Sequence, residues 1–394
     1  MQEPSRRQFL QVASISAVSA TRILGANERI RLGIIGAGTR GSYLASEANR
    51  AGGIEWVAVS DAWDKRREEA KKITGDSVEL YADYRHLLDR KDVDAVIVAS
   101  WDNNHAQLTM DACRAGKDVY VEKPMTSRPE QGPPMVRTVH ETRRIVQVGV
   151  QQRSTAHFWD AKEKFIDSGK LGHVHMVRTI WNNNIWYLLK PPEGMENKPE
   201  GLDWNACLGS LPKIPWDPKR FFNRYAYLDL CCGQTGGLFV HEVDVAQWYL
   251  GITKPASAVA GGGIYQYNDG RDTPDNVNLV LQYPEGVSVT FEGSLTDVVP
   301  RETEDIVFIG TGGRLHIFRY GYRFIPAGSK DPADEIRVKG KRDEHMKNWL
   351  DCVRSRKSPN ATVEQGHYGA MACHMGNLAY FQKKQIEWRP EWGI

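Results

Sequence analysis

Between residue 30 and about residue 152, short apolar runs alternate with amphipathic stretches. The runs at 31–35, 54–60, 95–100, 119–121 and 145–150 predict strands, and the segments 42–49, 64–72, 105–115 and 129–141 predict helices. Strands that are apolar on both faces and separated by helices build a parallel sheet buried on each side. Past residue 152 the pattern changes. A helix at 156–168 leads to a strand at 174–181, and a Pro/Gly/Trp-rich stretch follows to about residue 227. Strict alternation at 277–283 and 287–291 around Pro284-Glu285-Gly286 predicts a hairpin, and 304–309 with 314–318 around Thr311-Gly312-Gly313 predicts a second. Helices at 345–354 and 365–383 close the chain.

The pattern therefore gives an α/β protein: an N-terminal doubly wound parallel sheet over 29–152, and over 153–394 an α+β domain with an open, mainly antiparallel sheet. One face of that sheet needs a cover, either the Trp-rich stretch or another subunit, so a homo-oligomer (dimer or tetramer) is expected. A length of 394 residues suits two domains.

Charge and composition narrow the partners. A net charge of +2 argues against nucleic acid, and no apolar run is long enough to span a bilayer. The six cysteines form no CxxC pair and no zinc spacing, and His241, Glu242 and Asp244 lack a further ligand at a defined spacing, so no metal is expected. Residues 1–28 read differently from the rest. Ser5-Arg6-Arg7-Gln8-Phe9-Leu10 followed by a weakly apolar stretch to Ala20 has the layout of a twin-arginine export signal. That route carries folded proteins, which points to a periplasmic or extracellular location.

The first strand ends in Gly36, Gly38 and Gly41 at dinucleotide-binding spacing, with Thr39 and Arg40 inside the turn. The second strand ends in Asp61, placed to hydrogen-bond an adenosine ribose. Asp61 repels a 2′-phosphate and favours NAD; Arg40, Lys65 and Arg66 keep NADP as the alternative. An exported protein meets little free nicotinamide cofactor, so the cofactor is expected to be tightly bound. Trp101 and His105, after the strand at 95–100, are expected beside the nicotinamide ribose. Glu122-Lys123-Pro124 follows the strand at 119–121, and Lys123 there points into the crevice where ligands of parallel sheets bind.

Glycine turn, Glu122-Lys123-Pro124, and a later sheet domain with His241 and Asp244 on one helix together resemble the Gfo/Idh/MocA family of nicotinamide-dependent sugar and polyol oxidoreductases. The stretch Gly366-His367 through Cys373-His374-Met375-Gly376-Asn377 is similar as well. The resemblance implies an N-terminal Rossmann domain, a carbohydrate substrate, Lys123 at substrate and nicotinamide, and His241 as general base. Asp244, three residues on, is expected to orient the imidazole or bind a sugar hydroxyl. Trp181, Asn183, Tyr225 and Asp229 are the candidate sugar contacts, joined by Trp186, Tyr187, Asn182 and Asn184 in the same aromatic and amide stretch. The chain departs from the family at Gly237, where many members carry an aspartate; Glu242, Asp229 and Tyr225 are the candidates to stand in. NAD-dependent glycosidases resemble this chain in lacking that aspartate. Transient sugar oxidation with elimination and re-reduction is therefore a second expectation, and a non-catalytic dinucleotide-binding protein a third.

Overall fold

A computed structural model describes residues 29–182, 191–297, 305–339 and 344–394. The export signal expected within 1–28, and Asn183 with Asn184, Trp186 and Tyr187, lie outside the described residues. The first domain opens with β1 (Ile30–Ile35), α1 (Thr39–Ala51), β2 (Ile54–Ser60), α2 (Asp64–Thr74) and β3 (Glu79–Tyr81). It continues through β4 (Ala95–Val98), α3 (Asp102–Arg114), β5 (Asp118–Val121), α4 (Gly132–Thr142) and β6 (Val146–Val148). All strands are parallel, in the order β3-β2-β1-β4-β5-β6. Connections leave β1 in opposite directions, and the carboxyl ends of β1 and β4 part to leave a crevice. The three-residue edge strand β3 escapes the sequence pattern because Glu79 is exposed and Leu80 and Tyr81 are only half buried.

The second sheet has nine strands, in the order β14-β13-β12-β11-β7-β10-β9-β8-β15. These are β7 (Val174–Asn182), β8 (Ser257–Gly263), β9 (Asn276–Tyr283), β10 (Val287–Ser294), β11 (Asp305–Gly310), β12 (Gly313–Phe318), β13 (Gly321–Pro326), β14 (Asp334–Arg337) and β15 (Ile386–Glu387). Every pairing is antiparallel except β7 with β10, which run parallel in the middle of the sheet. Among the described residues, three further helices are longer than ten residues: α5 (Val240–Leu250), α6 (His345–Ser355) and α7 (Val363–Gln382). Helices α5 and α7 cover one sheet face, where Phe239, Phe291, Leu281 and Met371 are all at most 1% exposed. The other face carries Asn278, Gln282 and Glu292 at exposed positions. Helix α6 returns to the first sheet, burying Met346, Trp349 and Leu350 among Leu32, Ile34 and Tyr120.

The described part of the Trp-rich stretch, from residue 191 on, does not cover the second sheet, contrary to one of the two expectations. It docks on the first domain. Leu202 forms a β-bridge with Trp63, and Asp203 N donates to Ala62 O at 2.8 Å. Asn103 Nδ2 donates to Leu208 O and Asn104 Nδ2 to Cys207 O, each at 3.0 Å. The reason is apolar surface on the first domain: Trp63 and Trp101, after β2 and β4, pack edge-on or tilted against Phe221 and Trp204. The segment thus bridges the two rims of the crevice.

Candidate active site

Two glycines of the turn after β1 are required by geometry. Gly36 has φ +93°, and a Cβ there would lie 2.6 Å from Ser100 N. A Cβ at Gly41 would sit 2.0 Å from Gly36 O, so only glycine lets α1 pack this close to the turn. Around Gly38, by contrast, a Cβ would meet nothing within 4 Å. That open cradle, faced by the first amides of α1 from Thr39 onward, fits a dinucleotide pyrophosphate. Asp61 pins the turn: Oδ2 accepts from Ala37 N at 2.7 Å and Oδ1 from Trp63 N at 2.9 Å. Burial raises its carboxyl pKa, with these two N–H bonds opposing.

Strand β5 delivers Glu122 and Lys123 to the crevice. Arg40 Nε donates to Glu122 Oε1 at 2.7 Å, and Lys123 N donates to Glu122 Oε2 at 3.1 Å. Burial alone would raise the Glu122 carboxyl, but the Arg40 guanidinium and the Lys123 ammonium outweigh it and hold it below its ordinary range. The Lys123–Pro124 peptide is cis. His105 spans Pro124 O (2.8 Å) and Ser100 O (3.0 Å), tying the ends of β4 and β5 together. Lys123 Nζ crosses to the second domain and donates to Gly237 O at 2.7 Å. Burial lowers the Lys123 pKa; Glu122 and Asp102 oppose that, while Arg40 and Arg224 add to it.

The Gly237 carbonyl is available because Thr235–Phe239 form a π-helical turn ahead of α5. Such wide turns misalign the carbonyl ladder and recur at functional sites. Helix α7 braces it: Thr235 Oγ1 donates to Asn377 Oδ1 at 2.7 Å, and Asn377 Nδ2 donates to Cys232 O at 3.1 Å. His374, on the same helix, packs with Nε2 at 3.0 Å from Thr126 Oγ1, its pKa pushed down to about 3 by burial. His241 follows at the second position of α5, its Nδ1 at 3.0 Å from Gln152 Oε1. With an amide oxygen as partner, Nδ1 carries a proton. The Trp181 ring lies 6.0 Å from the imidazole at a 31° tilt.

Several expected site residues fall elsewhere: Asn182 Nδ2 donates to Glu292 Oε1 at 2.7 Å, and neither Asn182 nor Glu242 lines the cavity described below. Asp244 does not support His241 directly: both its oxygens accept from Arg153 Nε, at 2.9 and 2.8 Å, and the pair is buried. The i, i+3 spacing put them on adjoining parts of one helix, but Arg153 claims the carboxylate and Gln152 the imidazole. Asp229 pairs with Arg220 Nη1 at 2.8 Å on a half-exposed loop and does not line the cavity. Trp101 packs into the aromatic cluster with Trp204 and Phe221; its neighbours Ser100 and Asp102 line the cavity instead.

The glycine turn and Asp61 lie outside it, but other groups from both domains converge on one cavity of about 290 Å³. Arg40, His105, Glu122 and Lys123 line it from the first domain, and Trp181, Tyr225, Gly237 and His241 from the second. Sequence reasoning missed Asp102, Gln152 and Arg224, which line it too. Three of its lining residues carry a buried polar atom that reaches no partner among the described residues: Asp102 Oδ2, Trp181 Nε1 and Arg224 Nε. Buried polar atoms are normally satisfied, so the cavity suits a ligand bearing several donors and acceptors. Among the described residues no group of three or more His, Cys, Asp or Glu side chains could hold a metal, and no helix is long and apolar enough to cross a membrane.

Residues 30–150 match the model described as oxidoreductase family, NAD-binding Rossmann fold, and residues 215–316 match the GFO/IDH/MocA C-terminal domain. The chain belongs to the Gfo/Idh/MocA family. It is similar to inositol 2-dehydrogenase of Klebsiella pneumoniae, at 35% identity over 39% of this chain and 46% of that enzyme, so the match spans about half the relative's length. Myo-inositol 2-dehydrogenase of Thermotoga maritima is 23% identical over 91% of this chain and 96% of its own. A levoglucosan dehydrogenase solved with NADH and levoglucosan shares the fold, with a TM-score of 0.70 at 15% identity over 91% of this chain and 99% of that one. Within this Gfo/Idh/MocA framework, the lysine of Glu122-Lys123-Pro124 meets a backbone carbonyl at position 237 where the resemblance leads one to expect a carboxylate.

Proposed function

We propose that the protein transfers a hydride between a hydroxyl-bearing carbon of a sugar or polyol and NAD. The carrying observation is the convergence of Lys123, from the cofactor domain, and His241, from the sheet domain, on one small polar cavity. Bound NAD supplies the hydride acceptor at the crevice. The glycine turn and the first amides of α1 would hold its pyrophosphate, and Asp61, beside that turn, disfavours a 2′-phosphate. The Lys123 ammonium hydrogen-bonds the substrate oxygen and stabilises negative charge as it develops there. His241 Nε2 takes the hydroxyl proton, with Gln152 fixing the tautomer. Carbon then gives up hydride and the C–O bond becomes a carbonyl; in the reverse direction the same groups return the proton and polarise the carbonyl. The inositol and levoglucosan dehydrogenases among its relatives support a polyol or sugar substrate.

Export by a twin-arginine signal with the cofactor tightly bound belongs to the same proposal. The bridge that residues 201–222 form across both rims of the crevice supports cofactor retention. The face of the nine-stranded sheet that carries Asn278, Gln282 and Glu292 is exposed among the described residues, which supports a homo-oligomer.

The deciding experiment supplies NAD-loaded protein with a panel of polyols, aldoses and aryl glycosides. Stoichiometric nicotinamide reduction is expected. Release of aglycone without net reduction overturns the oxidoreductase reading in favour of the glycosidase cycle, and silence on every compound favours a binding protein. A second expectation concerns pH. Only the protonated Lys123 sets a positive charge against the developing oxyanion, and burial lowers its pKa from the ordinary 10.5. Activity is therefore lost as pH rises through that lowered value, so the alkaline limb of the kcat profile lies below 10.5. A limb at or above that value would count against Lys123 as the donor.

A further inference from the structure

Gly237 gives the site a carbonyl and no side chain, so a carboxylate near the reacting hydroxyl must come from elsewhere. Glu122 lines the cavity but is engaged by Arg40 and by Lys123 N. Tyr225 Oη accepts from Arg224 Nη2 at 2.8 Å. Asp229 is turned outward against Arg220. One acid remains. Asp102 opens α3 at the carboxyl end of β4, is 5% exposed, and lines the cavity beside Lys123. It does not cap its helix, and its Oδ2 reaches no donor among the described residues. Its charge acts on the Lys123 ammonium, which lines the same cavity.

Burying a carboxylate oxygen without a hydrogen-bonding partner is unfavourable, so a fold that keeps such an acid on a cavity wall keeps it for a ligand. Arg224, from the opposite domain, leaves its Nε in the same condition. The cavity thus holds an unsatisfied acceptor, Asp102 Oδ2, on one side and unsatisfied donors, Arg224 Nε and Trp181 Nε1, on the other. A neutral molecule with neighbouring hydroxyls satisfies both: one hydroxyl donates to the carboxylate, and the oxygen of the next accepts from the guanidinium. An inert apolar ligand satisfies neither.

We propose that Asp102 is the substrate-binding carboxylate of this site, accepting a hydrogen bond from a hydroxyl next to the one oxidised, with Arg224 donating to the same diol. The assignment rests on the oxidoreductase reading above and narrows its substrate class to vicinal diols.

The test compares wild-type protein and Asp102→Asn, both loaded with NAD, using myo-inositol, D-glucose and levoglucosan as probes. It reads nicotinamide reduction, NAD stoichiometry and melting temperature on the same samples. Asn is isosteric and fills the same space, and it removes a buried charge one of whose oxygens has no hydrogen-bonding partner among the described residues. The variant is expected to melt at or above the wild-type temperature and to keep its NAD. Its kcat/KM on the probe wild type uses best is expected to fall at least about 100-fold, because the carboxylate-to-hydroxyl bond is lost. Arg224→Met is expected to lose activity in the same direction. Wild-type activity with an Asp102→Asn variant within threefold of it overturns the Asp102 assignment and leaves the oxidoreductase reading standing. A variant that melts lower assigns Asp102 a structural role, and one that loses NAD makes it a cofactor contact; either result overturns the proposal. Wild-type protein inert toward all three probes counts against the oxidoreductase reading and takes this assignment with it.

Discussion

Replacing Lys123 by alanine is expected to lower kcat by about a thousandfold while the protein stays folded and keeps its NAD. The size follows from what the ammonium does. A preorganised donor aimed at developing oxyanion charge is worth roughly two to three orders of magnitude, and help with the proton adds to that. The geometry leaves no understudy. Arg40 is held by Glu122, and Arg224 carries Tyr225 on its Nη2. Lys123 Nζ is also the hydrogen bond that ties Gly237 of the second domain to the end of β5. Its loss therefore loosens the alignment of hydride donor and acceptor as well as removing the charge. Lys123→Arg is expected to fail nearly as badly, because a planar guanidinium cannot take the place of a compact ammonium 2.7 Å from that carbonyl. The measurement is kcat at saturating sugar alongside the nicotinamide content of each purified variant. A Lys123→Ala enzyme retaining a tenth or more of wild-type turnover would remove the lysine from the chemistry.

Much of this site is legible in the chain because its signals are periodic or positional. Gly36, Gly38 and Gly41 announce the turn, and the strand before Glu122 brings Lys123 to the crevice. His241 depends on the family resemblance, since a histidine on an apolar helix carries no local signature. What stayed hidden has no spacing of its own. Gln152 and Arg153 are adjacent polar residues after β6. One meets His241 and the other Asp244, so the pairing follows from how α5 crosses the first domain. Asp102 was within reach. The rule that selects residues just past β4 chose Trp101 and His105, but the large aromatic was drawn away by the apolar surface of Trp204 and Phe221. The acid beside it was left facing the cavity. The Trp-rich stretch misled for the same reason. Its composition shows that it must bury aromatic surface, but not which domain offers the matching partners. Helix α6 repeats the lesson, since its apolar stripe would serve either sheet and Tyr120 with Trp349 decides for the first.

The largest loss of stability is expected from Asp244→Ala. The side chains of Arg153 and Asp244 are 4% and 1% exposed, and the carboxylate accepts twice from the same Nε. The Arg153 guanidinium also lies 5.5 Å over the Trp248 ring, so the pair sits in a wall of apolar surface between α5 and the loop after β6. Taking away the acid strands a buried cation, which costs about 3–5 kcal/mol when one partner of such a pair is removed. That is a large part of the margin on which folded proteins stand. Replacing both partners, Arg153→Met with Asp244→Leu, removes the charge along with its counterion and is expected to recover most of the loss. Denaturant midpoints of the single and double variants measure this directly, and the non-additive remainder gives the coupling. Activity per folded molecule separates this role from catalysis. Asp244 does not line the cavity, so Asp244→Ala that is kept folded by cold or by bound NAD should turn over within tenfold of wild type. Wild-type stability combined with a hundredfold drop in kcat would instead return Asp244 to the chemistry and leave Gln152 as a bystander.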